Sequence, residues 1–382
     1  MKRNESTVIT KHPPQNKVTP MSLLSYDPSL WNKSKTESEP SLPKVIPLGK
    51  IENAICQLLS TDQGIRDLFS SQDEAFRHST QIAKINGIAS SLPIQTLGQH
   101  PQPPLKGGHG SQMCIKSGYR KGGDTMVTKI AAGGTDNCGN TGSVLVFDQT
   151  TLRLMSILCD EGLLTEVRTA AACAYASKCI LGSNMQQVTK LGIVGGGVQA
   201  VWQLRLLHLG GLPKECRTVV VKTRSKESAE AFFQRMKSSS YLPDRNWIFE
   251  HYQSTVEGGK GFKDCTLIHT MTPAREPVLR LQDVNIENPF LHITCVGADS
   301  PGKRELSDDL IAAANHLFCD SIDQTKERGE FQSLKSSKDI VELGTFLEEQ
   351  KMHHIAGLSI FDSSGLPLQD VEMAQLISSY IS

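Results

Sequence analysis

Apolar residues recur at helical spacing at Ile51, Ala54, Ile55, Leu58 and Leu59, which predicts a helix starting near Pro47, and a second helix is expected through Gln72 to Ile82. Upstream, residues 1–43 mix Lys, Asn, Ser, Thr and Pro (KHPPQNKVTP, KSKTESEPSLP) with few large apolar side chains. Such a segment buries too little surface to offset its ordering entropy and reads as a disordered tail. Between Ile94 and Gly123, Pro, Gly and His interrupt the pattern and no period emerges. The runs Thr125 to Ala131, Gly142 to Phe147 and Arg153 to Leu158 then read as strands, most economically of an antiparallel sheet. An alanine-rich helix is expected over Thr165 to Leu181, its small side chains permitting close packing. From there LGIVGG, a helix from Gln199 to His208, TVVVKT, a helix from Lys226 to Lys237, TLIHTM, HITCVG and HLFCDS alternate. Alternation with near-continuous apolar strands is the pattern of a parallel sheet covered on both faces. A strand-like LSIFD and a helix from Gln369 close the chain.

Length and charge narrow the function. At 382 residues the chain has room for two domains, each with its own core. Forty basic side chains balance 40 acidic ones, so no global field attracts nucleic acid or an anionic membrane, and small-molecule chemistry is expected. The ten cysteines form no CxxC pair and no regular framework, as free thiols in a reducing compartment would. No run approaches ~18 consecutive apolar residues, and the first thirty residues lack the apolar core of a secretory signal. Glu5, Asp27, Glu37 and Glu39 argue against a mitochondrial targeting peptide. A soluble, cytoplasmic protein is the expectation.

Candidate chemistry enters with Gly195, Gly197 and Ala200, a GxGxxA that follows the strand Lys190 to Val194 and opens a helix. The first glycine permits the tight turn, the second lets a pyrophosphate approach the backbone, and the third small residue packs helix on strand. The pyrophosphate would sit at the helix N-terminus, where Val198 and Gln199 lie and unpaired N–H groups favour an anion. A second strand, Thr218 to Val221, stands at the right distance for a dinucleotide-binding Rossmann unit. An NAD site usually places an acid after that strand, to accept from the ribose 2'-hydroxyl. This chain has Lys222, Thr223, Arg224 and Ser225 instead. Arg224 can pair with a 2'-phosphate and the hydroxyls can donate to it, so NADP is expected, with NAD the alternative.

With that motif, the blocks VTKIAAG (127–133), LTEVRTAAACAYAS (164–177), HITCVGADSPGKREL (292–306) and LSIFDSSGLPLQDVEMA (358–374) together resemble the ornithine cyclodeaminase and mu-crystallin family, from about residue 47 to the C-terminus. The resemblance implies an α/β fold: a Rossmann doubly wound parallel sheet over residues 166–345, and a second, α+β substrate-binding and dimerisation domain over residues 44–165, to which residues 346–382 return. It implies a homodimer with its active site in the cleft between the domains. It implies Lys129 as the active-site lysine, Arg168 as a partner of substrate carboxylate or cofactor phosphate, and Asp299 as the acid/base. Thr270, Met271 and Thr272 would pass the nicotinamide ribose, Ser143 would contact cofactor, and Gly365 would turn near the nicotinamide. Thr223, Arg224 and Ser225 fall on a cluster serving NADP. The family usually supplies a further arginine upstream of the lysine for the substrate carboxylate; here Lys106, in QPPLK, and Arg120 are the candidates.

The chemistry stands without the family. An amino acid brings a carboxylate, which wants Lys129 or Arg168 in a water-poor cleft. Hydride removal from its α carbon yields an imine, and a carboxylate at a strand end can move the protons this requires. The leading expectation is reduction of a ketimine or cyclic imino acid with NADPH. The alternatives are an ornithine or lysine cyclodeaminase, an opine-type dehydrogenase, or a non-catalytic binding or structural protein.

Overall fold

The computed structural model describes residues 42–86, 95–99, 112–133, 141–238, 246–334, 339–349 and 355–381, with backbone alone at 80–86, 95–99, 112 and 133. The tail expected at 1–43, apart from its last two residues, and Lys106 lie outside the described residues.

The N-terminal half opens with β1 (Lys44–Ile46), α1 (Leu48–Leu59) and α2 (Asp62–Asn86). There follow β2 (Gln95–Gln99), β3 (Gln112–Tyr119), β4 (Thr125–Gly133), β5 (Thr141–Asp148) and β6 (Leu154–Leu158). These strands form one sheet in the order β1-β6-β5-β4-β3-β2, antiparallel throughout except where β1 joins β6 in parallel. β2 and β3 occupy the stretch where no period is legible. The helix of the second apolar stripe is also longer than expected: α2 starts ten residues before Gln72, because Ile65, Leu68 and Phe69 continue its buried face.

The second half begins with α3 (Leu163–Leu181), whose alanines at 170, 171, 172, 174 and 176 are buried. Small side chains let it touch α2, the helices on either side and the parallel sheet at once. Next come β7 (Lys190–Val194), α4 (Val198–Leu209), β8 (Thr218–Lys222), α5 (Lys226–Ser238), β9 (Ile248–His251), β10 (Leu267–Thr270) and β11 (His292–Cys295). The chain continues through α6 (Asp308–Ala313), β12 (His316–Cys319), α7 (Ile322–Arg328), β13 (Ile340–Glu342), α8 (Leu343–Glu348), β14 (Ser359–Asp362) and α9 (Pro367–Tyr380). Eight strands pair in parallel in the order β13-β12-β14-β11-β10-β7-β8-β9, the doubly wound sheet the alternation predicts. The strands β10, β11 and β14 are buried at every residue, so both faces are covered. Residues 346–382 divide: β14 sits inside the parallel sheet, between β11 and β12, while α9 packs on α1, α2, α3 and the six-stranded sheet.

Sheet order reverses at β7, with β8 on one side and β10 on the other. Open α/β sheets bind ligands outside the carboxyl ends of their strands at such a switch point. Beneath it runs a chain of buried polar groups. Gln203 Oε1 meets His269 Nδ1 at 2.9 Å, His269 Nε2 meets Ser177 Oγ at 3.0 Å, and Ser177 Oγ meets Thr294 Oγ1 at 2.9 Å. Thr294 Oγ1 in turn meets His292 Nε2 at 3.0 Å, and His292 Nδ1 meets Ser359 Oγ at 2.9 Å. Burial pushes both imidazoles down to about 3, so they stay neutral while binding α3 and α4 to three strands. Among the described residues no helix is long and apolar enough to cross a membrane, and the described cysteines are free thiols.

Candidate functional site

The glycine turn stands at the carboxyl end of β7. Gly195 has φ +119°, a conformation side chains rarely adopt, and its N–H donates to the carbonyl of Lys222 at 2.8 Å. A Cβ at Gly197 would meet nothing within 4 Å, so the backbone there lies open to close approach. Gly197 caps α4 without a side-chain hydrogen bond, and Ala200 is wholly buried against the core. A turn with open backbone at an uncapped helix N-terminus fits a dinucleotide pyrophosphate. Val198 is 38% exposed on that turn, and Gln199 donates from Nε2 to the carbonyl of Glu166 at 3.2 Å. Trp202 Nε1 reaches the Glu166 carboxylate at 3.3 Å. The start of α4 is thereby fastened to the start of α3, two residues from Arg168.

At the end of β8, Thr223 packs against the turn, its Cγ2 lying 2.9 Å from where a Gly196 Cβ would be. Its hydroxyl donates to the Ser225 carbonyl at 2.6 Å, and Ser225 Oγ accepts from the N–H of Ser228 at 3.3 Å. Arg224 is exposed, with no ion pair among the described residues. Lys222 turns the other way: its Nζ lies 4.1 Å from the Tyr252 ring centre and 3.6 Å from Asp283. It is therefore held between an aromatic face and a buried carboxylate. Arg235, which sequence reading did not single out, reaches back from α5 to the carbonyl of Gly196.

Lys129 and Arg168 come together on one carboxylate, that of Asp370. Lys129 Nζ stands 2.9 Å from each oxygen of Asp370 on α9. Arg168 donates from Nε to Asp370 Oδ1 at 2.9 Å and from Nη1 to Gln369 Oε1 at 2.9 Å. Lys116, on β3, sits in register opposite Lys129, and its ammonium donates to the carbonyls of Ser364 and Gly365 at 3.0 and 3.1 Å. All four charged side chains are buried. Desolvation, reinforced by Arg168, pushes Lys116 down to about 8 and Lys129 to about 7. Burial would raise the Asp370 carboxyl, but Arg168, Lys129 and Lys116 outweigh it and hold it below its usual range. Behind Gly365, Asp320 accepts from that residue's N–H and from Ser363 Oγ. Gly365 has φ +84°, and a Cβ there would lie 2.8 Å from both Lys116 Nζ and Arg168 Nη1.

Asp299 follows β11, and its charge acts weakly on Lys116. Its carboxylate is 56% exposed and pairs with Lys303 Nζ at 2.6 Å. The loop Thr270–Thr272 abuts the glycine turn, with Met271 Cγ 3.1 Å from a notional Gly195 Cβ. Buried Glu305 ties this loop down: it accepts from Thr270 Oγ1 at 2.7 Å, Thr272 N at 2.6 Å, Thr272 Oγ1 at 2.8 Å and Gly297 N at 2.8 Å. Both threonine hydroxyls are thus committed to the protein. Ser143 lies on β5, its hydroxyl turned onto the Gly142 carbonyl at 2.8 Å and outside the cation cluster. Arg120 points elsewhere, 3.5 Å from Glu372 and 3.9 Å from Glu74.

Lys116, Asp320, Asp370 and Glu305 were not singled out from sequence. Asp370 stands inside the block LSIFDSSGLPLQDVEMA, where only Gly365 drew notice. Lys116 shares the inward face of β3 with Gly118, a face that emerges only once its pairing with β4 is known.

The sequence model of the ornithine cyclodeaminase/mu-crystallin family matches residues 138–382. The chain is 30% identical over 278 residues to the ketimine reductase mu-crystallin of Mus musculus, spanning 70% of this chain and 80% of that one. An archaeal alanine dehydrogenase dimer with bound NAD has a TM-score of 0.68 at 20% identity, covering 88% of this chain and 95% of that one. A lysine cyclodeaminase, solved for its recognition of L-lysine, L-ornithine and L-2,4-diaminobutyric acid, reaches 0.72 at 22% identity over 89% and 92% of the two chains. At these identities the structural likeness shows a shared fold.

Proposed function

The chain belongs to the ornithine cyclodeaminase/mu-crystallin family of NAD(P)-dependent oxidoreductases and cyclodeaminases, and from that premise we propose that it reduces a ketimine or cyclic imino acid, with NADPH as hydride donor. The observation that carries the reading is the buried cation cluster of Lys129 and Arg168, joined through Glu166 and Gln199 to the glycine turn. A buried cation cluster selects an anionic ligand, and its attachment to the turn sets that ligand's carboxylate beside a nucleotide.

In this reading Gly195, Gly197, Val198, Gln199 and Ala200 hold the pyrophosphate, and Thr223, Arg224 and Ser225 meet the 2'-phosphate. Thr270 to Thr272, kept rigid by Glu305, and Gly365 shape the nicotinamide side, with Ser143 at its margin. Once bound, the reduced nicotinamide supplies hydride to the imine carbon. The protein must orient the carboxylate and hold the imine nitrogen protonated, because an iminium carbon accepts hydride far more readily than a neutral imine. Asp299 is open to water and can pass that proton inward; Lys129, pushed down to about 7, is a second group able to exchange one near neutral pH. The proposed division assigns residues 44–165 and α9 to the substrate side and residues 166–345 with β14 to the nucleotide side. A homodimer is proposed as well, tested by light scattering of the full chain.

Asp299 also favours a second reading, a cyclodeaminase releasing ammonia from ornithine or lysine. Incubation with a panel of amino and imino acids, following NADPH absorbance and ammonia, separates the two. NADPH loss without ammonia supports the reductase. Ammonia without net cofactor change supports the cyclodeaminase, and neither signal sinks both in favour of a binding role.

A further inference from the structure

Lys116 and Lys129 lie directly opposite each other on β3 and β4, both buried. Like charges in that relation destabilise a sheet unless something counters them. The carboxylates facing them come from four parts of the fold, one of which is Asp160, buried just after β6 and feeling the Lys129 charge. Asp370 of α9 is taken up by Lys129 and Arg168, Asp320 follows β12 and accepts from Ser363 and Gly365, and Asp299 follows β11 and pairs with Lys303 at the surface. Among the described residues, three buried cations therefore face three buried carboxylates, Asp370, Asp320 and Asp160, and burial pushes the last two up, toward the uncharged acid.

The partners of Lys116 itself are the carbonyls of Ser364 and Gly365. Carbonyls orient an ammonium but carry no net charge to cancel it. Lys129 is matched by Asp370, whose two oxygens it straddles. Among the described residues Lys116 thus makes no direct ion pair, and Asp370 and Asp320 act on it only from a distance. Lys116 meets Arg168, since a single point above Gly365 lies 2.8 Å from Lys116 Nζ, 2.8 Å from Arg168 Nη1 and 3.2 Å from Arg168 Nη2. Two cations from different elements converge on one glycine, where any side chain would collide with both.

We propose that Lys116 is a specificity-determining residue, which with Arg168 receives the carboxylate of the ligand and supplies the charge balance that the protein's own carboxylates leave incomplete. The assignment moves carboxylate recognition from Lys129 to Lys116 and leaves Lys129, beside Asp370, for proton exchange. It rests on the imino-acid reading only for the class of ligand. Proton linkage agrees with it. Lys116 sits at about 8 and Lys129 at about 7 while facing Arg168, Asp370, Asp320, Asp299 and Asp160, so an added anion raises both and draws protons from solution near pH 8.

The competing role for Lys116 is a tether for the 364–365 loop, and a pair of probes distinguishes the two. Pyrrole-2-carboxylate and its neutral isostere pyrrole-2-carboxamide are titrated calorimetrically into the full-length protein, with and without NADP+. Wild type should prefer the carboxylate by about tenfold or more, the scale of a charged hydrogen bond. Lys116→Met should bring the two probes within about twofold of each other, and Lys116→Arg should keep most of the preference. A Lys116→Met protein that retains the preference, or weakens both probes by the same factor, overturns the assignment, as does a wild type with no preference. Should Lys116→Met not fold, proton uptake decides. Wild type should take up more protons than Lys116→Arg on binding the carboxylate at pH 8, since a guanidinium is already fully protonated; equal uptake overturns the proposal. Failure of every imino acid to oxidise NADPH would sink the reductase reading yet leave this comparison standing.

Discussion

Asp299 carries its carboxylate beyond the carboxyl end of β11, open to water, with Lys303 as its partner. Asparagine keeps the shape and the turn-forming capacity of Asp-Ser-Pro-Gly but cannot exchange a proton. Asp299→Asn should therefore fold and bind NADPH normally, yet lose roughly 100-fold or more in turnover, the usual scale for a general acid or base. Turnover within threefold of wild type on the true substrate would remove Asp299 from the mechanism. Among the described residues Arg224 makes no ion pair at the β8 end, whereas Lys222 is spent on Asp283 and Tyr252. Arg224→Asp should weaken NADPH by about tenfold or more and leave NADH nearly unchanged; equal losses would mean that Arg224 does not touch the 2'-phosphate. The lysine pair also predicts a pH dependence. Folding lowers Lys116 to about 8 and Lys129 to about 7 from an ordinary 10.5, so the unfolded chain binds more protons between about pH 7 and 10.5. The two lysines should make stability rise with pH across that window, and their full penalty is present below it. Denaturant titrations from pH 7 to 10 should show a smaller rise in Lys116→Met than in wild type; identical slopes would contradict the burial of that charge.

Elements meet through buried polar groups as well as apolar faces. Ser177 on α3 sits where His269 of β10 and Thr294 of β11 both need a partner. Ser177→Ala removes the hydroxyl without enlarging the side chain, takes from His269 Nε2 its partner in the core and leaves Thr294 with His292 alone. The expected loss is about 1 to 3 kcal/mol of stability, read from the denaturation midpoint, with cofactor affinity little changed. A change below about 0.5 kcal/mol would show that the chain of polar groups closes without the serine. Several elements were legible from their residues: the alanine row of α3 gives the close approach it implies, and the apolar strands β7, β8, β10 and β11 occupy the parallel sheet that alternation demands. β2 and β3 were not, because glycine and polar residues there carry no alternation strong enough to mark a face, and the pairing of β3 with β4 and of β2 with β3 supplies the hydrogen bonds that define them.

For the whole molecule, deletion of residues 1–40 is expected to leave the thermal midpoint and activity nearly unchanged, because that stretch offers little apolar surface to a core. A fall of more than a few degrees, or a lost dimer in light scattering, would refute this. The same logic of local signal separates what residue order determined from what it left open. GxGxxA after an apolar strand specifies its own geometry, since Gly195 needs a positive φ and Gly197 an open backbone, and both needs are met within one turn. Lys129, Arg168 and Asp299 could be named as candidates because each lies in a short block that carries the family resemblance. The charge balance of the cleft could not be read this way. Lys116 and Lys129 are brought opposite each other by the register of two strands, and Asp370 reaches them across 241 residues from Lys129. Asp320 and Gly365 arrive only because β14 inserts beside β12. Whether a lysine is solvated or buried among charges depends on neighbours that chain distance does not encode. Tertiary packing alone therefore decided which of these cations meet a carboxylate directly and which meet only carbonyls.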